Sequence, residues 1–194
     1  MIAAQTLTLP NKSLSKAFNS SALQILAASL FLAFCAQISI PLYFTPVPLT
    51  GQVFGVLLIA SILGPRKGVL AVLAYLAEGC LGLPVFAGGN FGVACLLGTE
   101  GGYFLGFIAQ AYLAGWIVKR CSSFSSAKIA TGLFLSCVAC LGLGSLWLSR
   151  FVGLPSALAL GFYPFLLGDL VKTLCVTTYL KSRHASQTNT HLPR

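Results

Sequence analysis

Two residues of opposite charge, Asp169 and Lys172, lie three positions apart inside an otherwise apolar stretch. On a helix this spacing places both side chains on one face, close enough to pair. If the stretch spans a membrane, each charge costs roughly 2.5–3.5 kcal/mol at mid-bilayer, so an idle pair would be expensive to keep. Two interpretations stay open: a polar site that binds a ligand, and a charge pair that only locks the bundle.

Two loop-like segments carry further side chains that suit a polar ligand. The first, residues 45–52, is stiffened by two prolines and ends at Gln52, whose amide offers hydrogen bonds. The second is rich in glycine, which allows close backbone approach, and contributes Asn90, with Tyr103 soon after it. We expect both segments to close a site with Asp169 from outside, although each also fits a tight turn between helices.

The other two acidic residues carry weaker signals. Glu78 is expected near the outer end of an apolar segment, where its carboxylate reaches water or lipid headgroups. Glu100 lies just before another segment, where it can cap a helix N-terminus. The alternative for both is tuning of the loops that close the site.

No residue pattern indicates catalysis or a bound cofactor. Cys137 and Cys140 form a C-x-x-C without the second pair that a zinc ribbon needs, so apolar filling is the better interpretation. The two histidines lie in the polar C-terminal tail, and a nucleophile–base pair and a phosphate-binding loop are both lacking. We therefore expect a protein that is not an enzyme and uses neither metal nor cofactor.

The composition places these residues in a membrane protein. Hydrophobic residues make up 57% of the 194 residues and charged residues only 8%, whereas a soluble domain averages roughly 25% charged residues. The formal net charge is +9, and the basic residues lie between apolar stretches. That distribution is typical of cytoplasmic loops beside anionic lipid and does not indicate a nucleic-acid site.

The pattern predicts an all-α integral membrane protein, a bundle of six transmembrane helices. The predicted spans are residues 20–42, 49–63, 69–83, 101–118, 129–149 and 154–180. Residues 84–99 are apolar but too rich in glycine for a span, so we expect a loop or re-entrant segment folded over a site. Residues 1–19 form a polar N-terminal segment, 20–181 the transmembrane domain and 182–194 a polar, disordered tail.

The basic residues predict the orientation. Only Arg150 falls outside, Lys172 lies within a span, and both termini are cytoplasmic in a multi-pass protein of the cytoplasmic (inner) membrane. The ten basic residues on the cytoplasmic side are then Lys12, Lys16, Arg66, Lys67, Lys119, Arg120, Lys128, Lys181, Arg183 and Arg194. A cleaved signal peptide at the start is the competing interpretation, disfavoured because it would leave an odd number of spans.

A stripe of small residues, Ser29 and Ala33, runs along the first predicted span. Such stripes permit close helix packing, either inside the bundle or against another subunit. Both possibilities stay open, and the second makes these residues candidates for a partner interface.

Eight short motifs, in register over most of the chain, resemble the BioY family, the biotin-binding membrane subunits of energy-coupling-factor (ECF) transporters. They are residues 36–41 (AQISIP), 46–52 (PVPLTGQ), 63–68 (LGPRKG), 75–76 (YL), 82–86 (GLPVF), 88–89 (GG), 101–107 (GGYFLGF) and 164–172 (PFLLGDLVK). The resemblance implies a six-helix bundle that captures biotin tightly beneath the loops joining helices one–two and three–four. It further implies a transmembrane coupling protein and cytoplasmic ATPase subunits as partners.

The resemblance also implies site residues. The family's acidic and basic residues on the last helix correspond to Asp169 and Lys172, and its polar loop positions to Gln52, Asn90 and Tyr103. Tyr103 is further expected, with Phe86, to supply apolar wall. Biotin itself offers two ureido N–H donors, a carbonyl, an apolar fused ring and a carboxylate, which suits such a set.

Two departures from the family pattern affect the outward side. The family usually reads Gly-Pro-Thr-Gly-Gly-Tyr where this chain has GTEGGY at residues 98–103, and an apolar residue where Glu78 stands. These changes bear on loop closure and selectivity. Two alternatives therefore stay open: a solitary secondary carrier, proton-coupled through Asp169 and Lys172, and a subunit for another small vitamin such as thiamine or riboflavin.

Overall fold

The computed structural model describes residues 20–121 and 125–189, with side chains to residue 186. Over these residues the chain is helical apart from one two-stranded ribbon and short loops. The elements are α1 (Ser21–Gln37), β1 (Ser39–Ile40), β2 (Leu49–Thr50), α2 (Gln52–Cys80), a 3-10 turn (Ala87–Gly89), α3 (Val93–Leu97), α4 (Gly101–Arg120), α5 (Ser126–Val152), α6 (Leu154–Gly161) and α7 (Tyr163–Asn189). The antiparallel ribbon pairs Ser39 with Thr50 and Ile40 with Leu49.

Helix α2 is a hairpin of two antiparallel arms, residues 52–63 and 65–80. Gly64 breaks it with φ 81° and ψ 175°, a conformation that glycine adopts at little cost, and the proline that follows is well suited to start a helix. The side-chain amide nitrogen of Gln52 lies 2.7 Å from the Tyr75 hydroxyl. In a straight helix the 23 positions between these residues would separate their backbones by about 35 Å. The arms correspond to the predicted spans 49–63 and 69–83.

Four helices of the described part of the chain are long and apolar enough to cross a membrane. They are Gln52–Cys80, Gly101–Arg120, Ser126–Val152 and Leu154–Ser186, and Ser21–Gln37 is a shorter apolar helix. The last of the four contains a turn at Phe162, between α6 and α7. The outward face of α1, with Leu26, Leu30 and Phe34 exposed, suits contact with lipid rather than water.

The segment 84–99 contains only two short helical pieces, Ala87–Gly89 and Val93–Leu97, and no span, as predicted, and it is fastened to the bundle at both ends. The Tyr75 hydroxyl donates to the Val85 carbonyl at 3.2 Å, and the Trp147 indole donates to the Gly98 carbonyl at 2.9 Å. Irregular backbone needs such partners because its own polar groups are not paired in a helix. The segment therefore forms a fixed cover on one end of the bundle.

The C-terminal boundary differs from the sequence prediction. Helix α7 continues through Asn189, so residues 182–189 of the predicted disordered tail are helical. Those eight residues contain neither proline nor glycine, so nothing in their backbone chemistry ends the helix. The N-terminal segment 1–19, with Lys12 and Lys16, and residues 190–194, with Arg194, lie outside the described residues.

Candidate functional site

A pocket lies at the end of the bundle that the ribbon and the segment 84–99 cover. Its enclosed volume is about 40 Å³, well below the range of about 300–1,000 Å³ typical of small-molecule sites, so its walls must open to admit a ligand. Its walls are mostly apolar, with a few polar groups. The lining residues are Val47, Pro48, Thr50, Gln52, Val53, Glu100, Tyr103, Phe104, Phe107, Cys140, Leu141, Phe165, Asp169 and Lys172.

Asp169 and Lys172 pair in this pocket, as their spacing predicts. The Lys172 ammonium donates to Asp169 Oδ1 at 3.0 Å. The Asp169 side chain is 1% exposed and that of Lys172 is 16% exposed. Asp169 Oδ2 is buried and has no hydrogen-bond partner among the described residues. A buried carboxylate oxygen without a donor is costly, so this atom is a ready acceptor for a ligand N–H.

Aromatic side chains form the apolar wall beside this pair. Phe104 and Phe107 pack edge to face with ring centroids 6.1 Å apart, and Phe165 lies one helical turn before Asp169 on α7. The sequence analysis did not single out these three residues. The signal for Phe107 and Phe165 was helical spacing: each lies four positions from Tyr103 or Asp169, and therefore on the same face.

Tyr103 belongs to the wall, and its hydroxyl is already engaged. It donates to the Gly161 carbonyl at 2.7 Å, which is free because α6 ends there and leaves its last carbonyls without intrahelical donors. The Tyr103 ring lies directly against Gly144 of α5, where any side chain would collide with it. Tyr103 is thus held in one position and offers the pocket chiefly an apolar surface.

Gln52 frames the pocket through a chain of hydrogen bonds. Its amide nitrogen donates to the Tyr75 hydroxyl at 2.7 Å, and its Oε1 accepts from the Thr50 hydroxyl at 2.9 Å. Tyr75 in turn donates to Val85. This chain ties the ribbon, both arms of α2 and the covering segment together, so Gln52 fixes the shape of the pocket.

The structure places Asn90 and Phe86 outside the pocket that contains Asp169. They line a neighbouring crevice. Asn90 is exposed, and its amide donates to the Ala87 carbonyl at 2.8 Å. Phe86 is buried, with its ring centroid 4.9 Å from that of Phe104, so this aromatic pair stands between the crevice and the pocket.

Glu100 lines both the pocket and the crevice. It occupies the cap position before α4, but its side chain makes no capping hydrogen bond there, so the capping role expected from the sequence is not observed. Burial raises the pKa of the Glu100 carboxyl above its ordinary value, because the charged form is poorly solvated there. The Glu100 carboxyl therefore lies where it can contact a ligand in either the pocket or the crevice.

Glu78 turns inward instead of reaching water or headgroups. Its Oε1 accepts a 2.6 Å hydrogen bond from the Ser29 hydroxyl, and its Oε2 is buried with no partner in the described part of the chain. Ser29 is fully buried, and Ala33 packs partly buried against the same core. Within the described residues the small-residue stripe therefore packs toward the core of the bundle, and a partner interface at Ser29 and Ala33 stays a prediction.

A buried polar chain lies beneath the pocket and joins three helices. The Gln110 amide of α4 donates to Cys137 Sγ of α5 at 3.3 Å. Cys137 Sγ lies 3.7 Å from the Thr173 hydroxyl of α7, next to Lys172 in sequence. Nothing in the sequence pattern of Cys137 indicated this contact. Because Thr173 is next to Lys172, the contact helps to fix the rotation of α7 and with it the position of the charged pair.

The fold and the pocket together define a helical membrane protein with a pocket of aromatic and polar side chains at one end of its bundle. The BioY family profile matches residues 10–188, and the chain belongs to that family. The "Biotin transporter BioY" of Thermotoga maritima is 41% identical over 157 residues, 77% of this chain and 88% of that protein. The "Biotin transporter BioY" of Rhodobacter capsulatus is 36% identical over 174 residues, 84% of this chain and 90% of that protein.

A solved structure agrees with these relatives. The crystal structure of the S-component for biotin from an ECF-type ABC transporter superposes with a TM-score of 0.72 at 27% sequence identity. The match covers 92% of this chain and 95% of that chain. The arrangement of helices is thus shared over nearly the whole length.

Proposed function

We propose that this chain captures biotin in the pocket beside Asp169 and serves its uptake as the substrate-binding subunit of an ECF-type transporter. The family match supports the ligand, because the relatives reported above are named as biotin transporters. The observation that carries the proposal is Asp169 Oδ2, a buried acceptor that lies beside an aromatic wall and has no hydrogen-bond partner in the described part of the chain. Such a site offers a binding group rather than a reactive one.

The chemistry of biotin fits these groups. The ureido ring has N–H donors that the free Asp169 oxygen accepts, and the fused ring is apolar enough to lie against Phe104, Phe107 and Phe165. Lys172 neutralises the carboxylate that it already contacts at 3.0 Å. In an alternative role Lys172 pairs with the carboxylate of biotin, and its ammonium must then leave Asp169 for the ligand.

The covering segment completes the site in this proposal. Gln52 and Tyr103 keep the pocket in shape through their hydrogen bonds to Tyr75 and Gly161. Asn90 and Phe86 belong to the segment that closes over the ligand, and Asn90 reaches the pocket only if that segment moves. That movement would exchange the hydrogen bond from the Asn90 amide to the Ala87 carbonyl for one to the ligand.

In the membrane, we propose six crossings with both termini cytoplasmic. Counting the two arms of α2 separately and α6 with α7 as one, and leaving out the five-residue α3, gives six helices, an even number that returns the chain to its starting side. The first arm, 12 residues from 52 to 63, rises only about 18 Å, so the ribbon covers part of the remaining thickness. Arg66, Lys119 and Lys181 then lie on one side, which favours the cytoplasmic side of the inner membrane.

In this proposal other proteins supply the energy for transport. The sequence contains no phosphate-binding loop with which to hydrolyse ATP. A transmembrane coupling protein and cytoplasmic ATPase subunits would supply that step, as expected for an S-component of the kind that the solved relative represents. The chain then acts as a receptor and has no catalytic role.

Binding of labelled biotin to the detergent-purified chain tests the ligand. We expect nanomolar binding that desthiobiotin competes for and that thiamine and riboflavin leave unchanged. Absence of binding by a monodisperse, folded preparation would overturn the assignment. Competition by thiamine or riboflavin would point to another vitamin.

Uptake into vesicles tests the partners. We expect no biotin accumulation by vesicles that hold this chain alone and ATP-dependent accumulation when the coupling protein and ATPases are added. Accumulation by the chain alone that an uncoupler abolishes would instead identify a solitary, proton-coupled carrier.

A further inference from the structure

A second concave surface lies at the opposite end of the bundle from the biotin pocket. It runs between the turn that joins the two arms of α2 and the C-terminal end of α4. Four of its lining residues are basic: Arg66, Lys67, Lys119 and Arg120. We call these four residues and the surface between them the basic groove.

Close packing of α4 on the hairpin turn brings the four charges together. A Cβ on Gly115 would lie 2.5 Å from the Pro65 backbone nitrogen, so only glycine at residue 115 allows this approach. Lys119 and Arg120 follow about one turn later on α4, and Arg66 and Lys67 follow Pro65 directly. The close packing of α4 against the hairpin turn of α2 therefore forms the groove.

The chain supplies no acidic residue to balance this charge. It contains three acidic residues in all: Asp169 and Glu100 line the biotin pocket, and Glu78 accepts from Ser29. The observed partners of the basic groove are neutral. Lys67 donates to the Gln24 amide oxygen at 2.7 Å, and the Arg120 guanidinium lies 5.3 Å from the centroid of the Trp116 ring. Like charges held together repel, and a bound anion removes that repulsion.

The outer wall of the basic groove is apolar and aromatic. Trp116 is 44% exposed and Tyr112 is 53% exposed, one turn apart on α4, and Ile62 and Leu63 line the groove beside them. Tryptophan and tyrosine favour the membrane–water interface, where an apolar ring meets a polar headgroup. The Ser61 hydroxyl, buried without a hydrogen-bond partner among the described residues, also borders the groove and offers a further polar group.

We propose that the basic groove binds an acidic phospholipid, with the phosphate diester between the basic side chains and the acyl chains along Tyr112 and Trp116. A headgroup without a compensating cation, such as phosphatidylglycerol, matches an excess of positive charge, whereas a zwitterionic headgroup brings its own cation. Basic pockets between membrane helices are suited to such headgroups. This site is separate from biotin capture, and no residue of the biotin pocket takes part in it.

Native mass spectrometry of the purified full chain tests the proposal by counting bound lipid. We expect phosphatidylglycerol to be retained at least fivefold more strongly than phosphatidylcholine. The double variant Arg66→Gln with Lys119→Gln should lose at least fivefold of that retention, and Arg66→Lys with Lys119→Arg should keep it. The matched control, Lys181→Gln with Arg183→Gln, removes the same charge from the exposed end of α7 and should retain the lipid.

Three outcomes would overturn the proposal. Equal retention of phosphatidylcholine would show that the charge of the headgroup is not recognised. Equal loss in the control variant would show attraction to overall charge rather than to the basic groove. Complete competition by inorganic phosphate would identify a site for a small anion. Biotin binding by each variant, which these substitutions should leave unchanged, verifies that the protein is folded.

Discussion

The Lys172 ammonium contacts one oxygen of Asp169 at 3.0 Å and leaves the other oxygen buried, without a hydrogen-bond partner among the described residues. A buried ion pair is weak evidence for stability, because removing two charges from water offsets much of their attraction. An oxygen left without a donor adds a further penalty of about 1–3 kcal/mol. This geometry therefore costs stability in the empty protein, and a ligand that donates an N–H to Oδ2 recovers part of that cost.

Asp169→Asn is expected to weaken biotin binding at least tenfold while the protein stays folded. Asparagine keeps the size of the side chain but replaces one acceptor oxygen with an N–H donor, which faces the ligand's own donors or loses the contact with Lys172. Equilibrium binding of labelled biotin measures the effect. Thr178→Val, which removes a hydroxyl bonded only within α7, is the control, and unchanged affinity in Asp169→Asn would exclude this residue from the site.

Lys172→Met is expected to weaken the binding of biotin and of biotin amide by the same factor, at least fivefold. The reason is that the Lys172 ammonium already contacts Asp169. Removing the ammonium therefore alters the Asp169 carboxylate that accepts from the ureido ring, and leaves the contacts of the ligand carboxylate unchanged. Competition binding with the two ligands gives the ratio, and Lys181→Met provides the same change far from the pocket. A loss confined to biotin, with the amide unaffected, would assign Lys172 to the carboxylate instead.

Gly144→Ala is expected to lower biotin affinity at least tenfold, because the added methyl collides with the Tyr103 ring and pushes it toward the pocket. Gly142→Ala on the same helix is a matched control, because a Cβ there meets nothing within 4 Å. The control should leave binding intact and stabilise the helix by roughly 0.5–1 kcal/mol. Affinity equal to wild type in Gly144→Ala would show that the Tyr103 ring is not a fixed wall.

The sequence predicted the helical segments and the charged pair well, because both depend on local patterns. Apolar length defines the helices, and an i, i+3 spacing places Asp169 and Lys172 on one face wherever that helix packs. The position of Gly64 before Pro65 also marked the break in α2. These features need no knowledge of which helices are neighbours.

The rest of the site depends on contacts between distant parts of the chain. Glu78 was expected near water, but its partner Ser29 lies 49 positions away on another helix. Asn90 and Phe86 were placed with Asp169, but the covering segment holds them in an adjoining crevice. No local pattern specifies which face of a loop meets the bundle, so packing decides these positions.

Tyr75→Phe is expected to lower both the melting temperature and biotin affinity. It removes the acceptor for the Gln52 amide and one of two donors to the Val85 carbonyl, which also accepts from Gln37. A buried amide left without an acceptor costs about 1–3 kcal/mol. Thermal unfolding in detergent and biotin binding are measured together. Tyr179→Phe, at an exposed position on α7, should change neither, and a normal affinity in Tyr75→Phe would mean that Gln52 does not depend on this bond for its position.

Glu100→Gln is expected to raise the melting temperature by a few degrees at pH 7.5 and to have little effect at pH 4. Burial raises the pKa of Glu100 above the ordinary value of 4.5, so between the two pKa values the folded protein holds more protons than the unfolded chain. Stability therefore falls as pH rises through that interval. Glutamine removes this penalty, which is absent below the ordinary pKa.

Melting curves of wild type and Glu100→Gln at both pH values measure the effect. Glu78→Gln makes the same substitution at a carboxylate that accepts a hydrogen bond from Ser29, and it should not raise the melting temperature at pH 7.5. A gain for Glu100→Gln that is equal at both pH values would show that charge burial is not its cause.

Glu100 also borders the biotin pocket. The neutral variant should therefore bind biotin at least as tightly as wild type at pH 7.5, because it removes a negative charge from the path of a negatively charged ligand.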